Sequence, residues 1–311
     1  MTMTPGPSSA YGFAGEAVQA AVEIQQEWAQ DGLHGALCAR HLDTGEELGF
    51  DADTPYALAS VSKVPLALVT LDLIARGRLD GAQPLVLDPE TATPGPTGVS
   101  MFRHPSRIAL DDLLYLMLAA SDNAAADAVF ELVPPTLVTT TLHEWNCPSV
   151  VVRHPMRVLY DAAAAVAPDD PALALELAVR ATTEGGGHVL PSLDIASATS
   201  GTARGLVLLL ERIWTDSISV PAATQRLRDL LGRQLGRNRM VAELASDSVT
   251  VSSKTGTFLN LRHEAGVVST ATGDRIAVAV LTASTIPAVH QPEVDRAIGR
   301  AARVAVDVLR L

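Results

Sequence analysis

Residues 57–68 read Ala57-Leu58-Ala59-Ser60-Val61-Ser62-Lys63-Val64-Pro65-Leu66-Ala67-Leu68, a polar approach that becomes an apolar run. The run from Ser60 to about Ala75 predicts a helix, with Gly77 as its stop signal. Positions i and i+3 share a helix face, so Ser60 and Lys63 would stand side by side at its N-terminus. Unpaired amides and the helix dipole at that end favour negative charge, including the oxyanion of an attacked carbonyl. A lysine held beside a hydroxyl and partly desolvated can lose its proton near neutral pH and act as that hydroxyl's base. Taken alone, the same tetrapeptide also reads as an N-cap serine followed by a solvated first-turn lysine.

On the N-terminal side, Gly15 to Gln30 has the apolar spacing of a helix. His34–His41 and Glu46–Phe50 read as strands joined at Asp43-Thr44-Gly45. On the C-terminal side, Asp80 to Arg107 reads as loop, because six prolines and glycines between Pro84 and Gly98 interrupt it. Helices follow over Ile108–Ala120, Ala124–Glu131, Pro134–Glu144, Asp161–Ala181 (broken near Pro168 to Pro171), Gly205–Trp214 and Ala222–Gly232. The character then changes: Ser248–Lys254, Glu264–Thr270 and Arg275–Ala283 are rich in β-branched residues and read as strands, and Glu293–Leu311 is an amphipathic helix. Strands from both ends of the chain must share one sheet to bury their faces. The fold class is therefore α/β (α+β): an antiparallel sheet flanked by terminal helices, with an inserted all-helical lobe. The expected division is a discontinuous α/β domain over residues 12–57 and 221–311 and a helical domain over 58–220. A cleft between two such lobes is a usual place for a site.

Composition narrows the function. Of the 311 residues, 48% are hydrophobic and 19% charged, which is globular composition rather than disorder. A net charge of −12 argues against a nucleic-acid or anionic-membrane partner, since both need a basic surface. Cys38 and Cys147 match no metal spacing, and His104, His188 and His263 form no ligand set, so neither metal nor other cofactor is expected. One disulfide between the two cysteines stays open, although Cys38 lies in an expected core strand. The N-terminus has no basic segment followed by an apolar one, and no stretch reaches membrane-helix length. The expectation is a cytoplasmic monomer; a secreted protein trimmed of its leader would read the same.

Three short motifs occur in order: Ser60-x-x-Lys63, Ser121-Asp122-Asn123 and Lys254-Thr255-Gly256. They fall at a helix start, a loop between helices and a strand. Each is weak alone, since Ser121-Asp122-Asn123 is also good loop and N-cap sequence and Lys254-Thr255-Gly256-Thr257 an ordinary strand end. Together and in these contexts they resemble the penicillin-recognising serine enzymes, closest to class A β-lactamases. The resemblance implies a Ser60 nucleophile that forms an acyl-enzyme with a lactam, amide or ester carbonyl of a small molecule. It implies Lys63 as base, Ser121 as proton relay to the leaving group, and Asn123 holding both Lys63 and a substrate amide. Lys254 would supply positive potential beside Lys63, which helps hold the latter neutral. Thr255 and Thr257 would meet a substrate carboxylate, and the amides of Ser60 and Thr257 would form the oxyanion hole.

The sequence departs from that family in two places. Class A enzymes carry a glutamate and an asparagine four residues apart, the glutamate activating the deacylating water. No Glu-x-x-Leu-Asn occurs here, and Glu184, in the loop Thr183-Glu184-Gly185-Gly186-Gly187-His188, is the best positional substitute. For the substrate carboxylate, Arg239 fits best and Arg262 second. Three functions follow: a β-lactamase-like hydrolase, an intracellular esterase, amidase or acyltransferase of a biosynthetic pathway using the same acyl-serine chemistry, or a non-catalytic binding protein on this fold.

Overall fold

The computed structural model describes residues 7–168, 170–180, 183 and 187–310. From the N-terminus, α1 (Pro7–Gln30) leads into β1 (Leu33–His41), β2 (Glu47–Phe50) and β3 (Pro55–Ala57), then α2 (Lys63–Ala75). Next come β4 (Pro84–Leu87), β5 (Ser106–Ala109), α3 (Leu110–Ala119), α4 (Asn123–Leu132) and α5 (Pro135–Glu144). The middle continues with β6 (Val150–Val151), α6 (Arg157–Val166), α7 (Pro171–Arg180), β7 (Ser200–Thr202), α8 (Ala203–Trp214), α9 (Pro221–Leu231) and α10 (Met240–Leu244). The chain closes with β8 (Val249–Phe258), β9 (Leu261–Thr270), β10 (Arg275–Ser284) and α11 (Pro292–Leu309).

The main sheet has the order β2-β1-β10-β9-β8, and each neighbouring pair is antiparallel. Strands from the two ends of the chain therefore meet at β1 and β10, where Leu37 pairs with Val280. Side chains alternate across a strand, and the two cores follow that period. Leu37, Ala39, Val278 and Val280 pack with Trp28 of α1 and Ile298 and Ala302 of α11. Ala36, Cys38, Ala277 and Ala279 face the other way, onto a core that includes Leu66, Leu113, Val129 and Leu210 from the helices. The architecture is an antiparallel sheet between terminal helices and a large helical layer, as the alternating and helical periods predict.

One helix sits in the middle of that layer. Every residue of α2 from Lys63 to Asp72 is buried. A helix apolar on all sides must be enclosed on all sides, and that enclosure buries a lysine at its first position.

Two details differ from expectation. The Asp80–Arg107 segment holds β4 and the first half of β5, which runs on through Ile108 and Ala109, the expected start of a helix. The pairing goes from Pro84 with Ala109 to Leu87 with Ser106. The segment's prolines and glycines lie mostly between the strands, and Pro84 opens β4, a position that strands tolerate. The run begun by Ser60 is a 3-10 turn over Ala59–Ser62 before the α-helix starts at Lys63. Cys38 and Cys147 are both free and buried. Among the described residues no helix is long and apolar enough to cross a membrane.

Candidate active site

Ser60 is delivered by a short sheet. β3 pairs with β7, Tyr56 opposite Gly201, and the Leu58 amide donates to the Thr199 carbonyl at 2.9 Å. Ala59 then adopts a left-handed backbone, φ 46°. For an alanine that conformation costs about 1 kcal/mol, and it persists because the flanking bonds hold it. In a 3-10 turn residues i and i+3 eclipse, which aligns Ser60 with Lys63. The Lys63 Nζ donates to Ser60 Oγ at 3.2 Å. Ser60 is half-buried, whereas Lys63 is fully enclosed.

The α3–α4 corner supplies the second motif. Ser121 has a left-handed φ of 57°, which ends α3 and turns both of its oxygens toward Lys63. Lys63 Nζ donates to the Ser121 carbonyl at 2.6 Å and lies 3.4 Å from its Oγ. Asp122 caps α4 by accepting from the Ala125 amide at 3.2 Å, the usual role of an aspartate there. It also accepts from the Val99 amide at 2.5 Å and the Ser100 hydroxyl at 3.1 Å. Asn123 Oδ1 accepts from Lys63 Nζ at 2.8 Å.

The third motif lies on β8. Lys254 Nζ donates to Ser121 Oγ at 2.9 Å and to the Thr255 carbonyl at 2.8 Å. Ser121 therefore stands between the two lysines. Behind the strand, Gln234 Oε1 accepts from the Thr255 amide at 2.5 Å. The buried Glu264 accepts from Ser253 Oγ at 2.6 Å, from Gln234 Nε2 at 3.2 Å and from the Met240 amide at 2.8 Å. Thr257, at the strand's end, is exposed.

Burial dominates the electrostatics. It pushes the Lys63 ammonium down to about 7, against the pull of the Asp122 and Asp127 carboxylates. Burial and then the charge of Lys63 hold Lys254 well below the usual lysine value, with Glu264 opposing. The resemblance assigned Lys254 the task of keeping Lys63 neutral. Enclosure is the largest cause at both amines, and the repulsion between their charges adds to it. Two ammonium groups joined through one hydroxyl titrate as a pair.

The structure brings Ser60, Lys63, Ser121, Asn123, Lys254, Thr255, Gly256 and Thr257 to one site. Arg239 lies behind it and is 4% exposed. Its guanidinium donates to Asp295 at 2.6 Å, to the carbonyls of Gly256 and His263 at 3.2 and 2.6 Å, and to Thr257 Oγ1 at 2.9 Å. Arg262 is tied to four carbonyls, those of Leu259, Leu261, Ala288 and Val289. Glu184 lies outside the described residues. Among those described, no cluster of three or more histidine, cysteine, aspartate or glutamate side chains could hold a metal.

Sequence reasoning missed Gln234, Glu264, Asp127 and Tyr160. Asp127 is one turn after Asn123 and accepts from the Met156 and Arg157 amides at 2.6 and 2.8 Å, which anchors the start of α6 to α4. Its i+4 spacing from Asn123 was a usable signal. Tyr160 accepts from Asn123 Nδ2 at 2.8 Å; nothing in its alanine-rich surroundings marked it.

The chain is 46% identical, over 93% of its length and 96% of the relative's, to the beta-lactamase regulatory protein BlaB of Streptomyces cacaoi. A beta-lactamase from Chitinophaga pinensis has the same fold at TM-score 0.75 and 19% identity, covering 93% of this chain and 98% of that one. PBP-A superposes at TM-score 0.74 and 20% identity, over 94% of this chain and 96% of that one. A PBP-A mutant was solved as an acyl-enzyme complex with penicillin G, and it matches at TM-score 0.73 and 20% identity over 94% and 97% of the two chains. The family model described as "Beta-lactamase enzyme family" matches residues 19–309, so with nearly its whole length matched the chain belongs to the beta-lactamase enzyme family.

Proposed function

We propose that this protein is an acyl-serine enzyme in which Ser60 attacks a lactam, amide or ester carbonyl. The observation that carries the reading is the fully buried Lys63 amine, 3.2 Å from Ser60 Oγ and pushed down to about 7. A neutral amine at that distance is a competent general base. The Ser60 hydroxyl proton passes to Lys63 Nζ as the Oγ–carbon bond forms. The tetrahedral oxyanion then faces the amides of Ser60 and Thr257, donors of a kind whose loss costs about 3–4 kcal/mol elsewhere. Its collapse breaks the carbon–nitrogen bond of a lactam or amide, or the carbon–oxygen bond of an ester. The leaving atom takes the Ser121 hydroxyl proton, and Lys63, 3.4 Å from Ser121 Oγ, replaces it with the proton taken from Ser60. Lys63 ends neutral again beside an acylated Ser60.

Hydrolysis of that acyl-enzyme needs a base for water, and Glu184 remains the proposed one. A second reading is favoured by the relative's name. A β-lactam-responsive regulator needs acylation but not turnover, and the acylated Ser60 would be its signal. The two readings share every step up to the acyl-enzyme.

Intact-mass spectrometry after mixing with a chromogenic cephalosporin and with an activated ester tests the reading. A transient or lasting adduct on wild-type protein that is absent from Ser60→Ala is expected. Colour change without a lasting adduct identifies a hydrolase, and a stable adduct identifies an acylated sensor or acyl carrier. Labelling retained in Ser60→Ala overturns the nucleophile, and no reaction with either reagent favours the binding-protein alternative.

A further inference from the structure

The Asn123 carboxamide nitrogen has both of its protons in hydrogen bonds. The carboxamide oxygen takes the Lys63 ammonium at 2.8 Å, and the nitrogen donates one proton to the Pro94 carbonyl at 3.0 Å and the other to Tyr160 Oη at 2.8 Å. A carboxamide nitrogen has only two protons. A substrate carbonyl arriving at Asn123 must therefore replace one of these acceptors. The Pro94 carbonyl belongs to the backbone, whereas the Tyr160 hydroxyl is at the end of a side chain that can turn.

Tyr160 lines a 410 Å³ cavity between α6, α7 and the β8–β9 turn. Ala163, Ala167, Leu175 and Phe258 give it an apolar lining, and it reaches the site through Thr257. The Tyr160 ring meets Phe258 edge to face, with centroids 5.9 Å apart. A second cavity of 530 Å³, with Asn238, Thr255 and His290 in its wall, shares Thr257, Arg262 and Val289 with the first. Both spaces thus border the Thr257 end of the site.

We propose that Tyr160 sets acyl-group specificity: it lines the apolar cavity and its hydroxyl occupies the Asn123 donor, so an acyl group bearing an amide carbonyl must displace it, whereas a hydrocarbon acyl group enters the cavity beside it. The proposal rests on the reading of Ser60 as the acylated nucleophile and names the acyl class that nucleophile takes. For an amide-bearing group the exchange is one hydrogen bond for another, plus the rotation of a ring. Hydrocarbon is transferred from water to alanine, leucine and phenylalanine with no polar group uncovered. Removing the phenol oxygen leaves the Asn123 proton unpaired, and an arriving amide carbonyl then supplies the missing partner.

The test is calorimetric binding of two product-like acids, decanoate and N-hexanoylglycine, to the full chain carrying Ser60→Ala, with and without Tyr160→Phe. These acids are similar in size and differ in the amide. Expected is a preference for decanoate with Tyr160 present, and a rise of about tenfold, equal to 1.4 kcal/mol, in relative affinity for N-hexanoylglycine with Tyr160→Phe. Tyr160→Leu should move the ratio the same way, and thermal melts check that each variant is folded. A change of less than fivefold in the ratio overturns the proposal, as does the absence of binding by either acid. Because Ser60 is absent from these proteins, the result is independent of adduct formation: a shifted ratio beside failed labelling keeps Tyr160's role and removes the acyl-serine reading.

Discussion

A β-carbon placed on Gly256 would lie 2.9 Å from the Leu58 carbonyl oxygen and 3.0 Å from the Val61 side chain. The third motif is thus pressed directly against the turn that carries Ser60, and only a residue without a side chain permits that approach. The contact sets how closely β8 approaches the turn that carries Ser60.

Gly256→Ala should therefore force β8 away from the Ser60 turn. Overpacking of this kind costs about 1–3 kcal/mol. The acylation rate should fall more than stability does, by at least about tenfold, because an oxyanion donor displaced by a fraction of an ångström loses most of its effect. Stopped-flow labelling alongside thermal melts measures both. A labelling rate within twofold of wild type would show that the close approach does not position the site.

The pH dependence of acylation follows from the buried amine. Lys63 serves as base only when neutral, and burial sets that change at about 7. The acylation rate should rise with pH and level off above about pH 8, being about tenfold slower at pH 6. Lys63→Arg, which stays protonated, should remove the rise and lower the plateau by about 10²–10⁴-fold. A rate flat between pH 5 and 9 would exclude Lys63 as the base.

His263 controls stability in a lower window. Its ring is fully buried, with Nδ1 accepting from the Thr282 amide at 3.0 Å and Nε2 facing the Ala57 carbonyl at 2.8 Å. Burial pushes the imidazole from 6.5 down to about 4. The unfolded chain binds this proton first, so the stabilisation is fully present above about pH 6.5 and is lost as pH falls toward 4. The difference corresponds to about 3 kcal/mol. Urea melts of wild type between pH 7 and 4 should show this loss, and His263→Gln should be less stable at pH 7 but flatter over that range. Parallel curves for the two proteins would remove His263 as the cause.

How much of this was legible depended on what carried the information. Ser60-x-x-Lys63, Ser121-Asp122-Asn123 and Lys254-Thr255-Gly256 were readable because each motif is local and each sits in a period that declares its element. β1 and β10 were readable because burial on one face or both leaves a mark in composition. The β4–β5 hairpin was not: it lies at the surface, and its prolines and glycines masked two four-residue strands. Tyr160, Gln234 and Glu264 were hidden for a different reason. Their partners Asn123, Thr255 and Ser253 are 37, 21 and 11 residues away in the chain. Only the packed fold joins them.

Asp122 is the middle residue of its motif, and its side chain bonds away from Lys63, which Ser121 and Asn123 hold. Its fully buried carboxylate accepts from Val99, Ser100 and Ala125, joining the turn at residues 98–101 to the start of α4. Ser121 and Asn123 flank it, so their orientation toward Lys63 depends on this anchor. Asp122→Ala leaves three donors without their acceptor and removes a helix cap, for a loss of about 2–4 kcal/mol. In a chain of this size that corresponds to roughly 3–6 °C in Tm. Asp122→Asn keeps one acceptor oxygen but turns an amide toward another donor, so it should fall between the two. Acylation in Asp122→Asn, measured where the variant is fully folded, should be slower because Ser121 and Asn123 lose their common support. A variant as stable as wild type but slow to acylate would instead place Asp122 in the electrostatics of Lys63, on which its charge already acts.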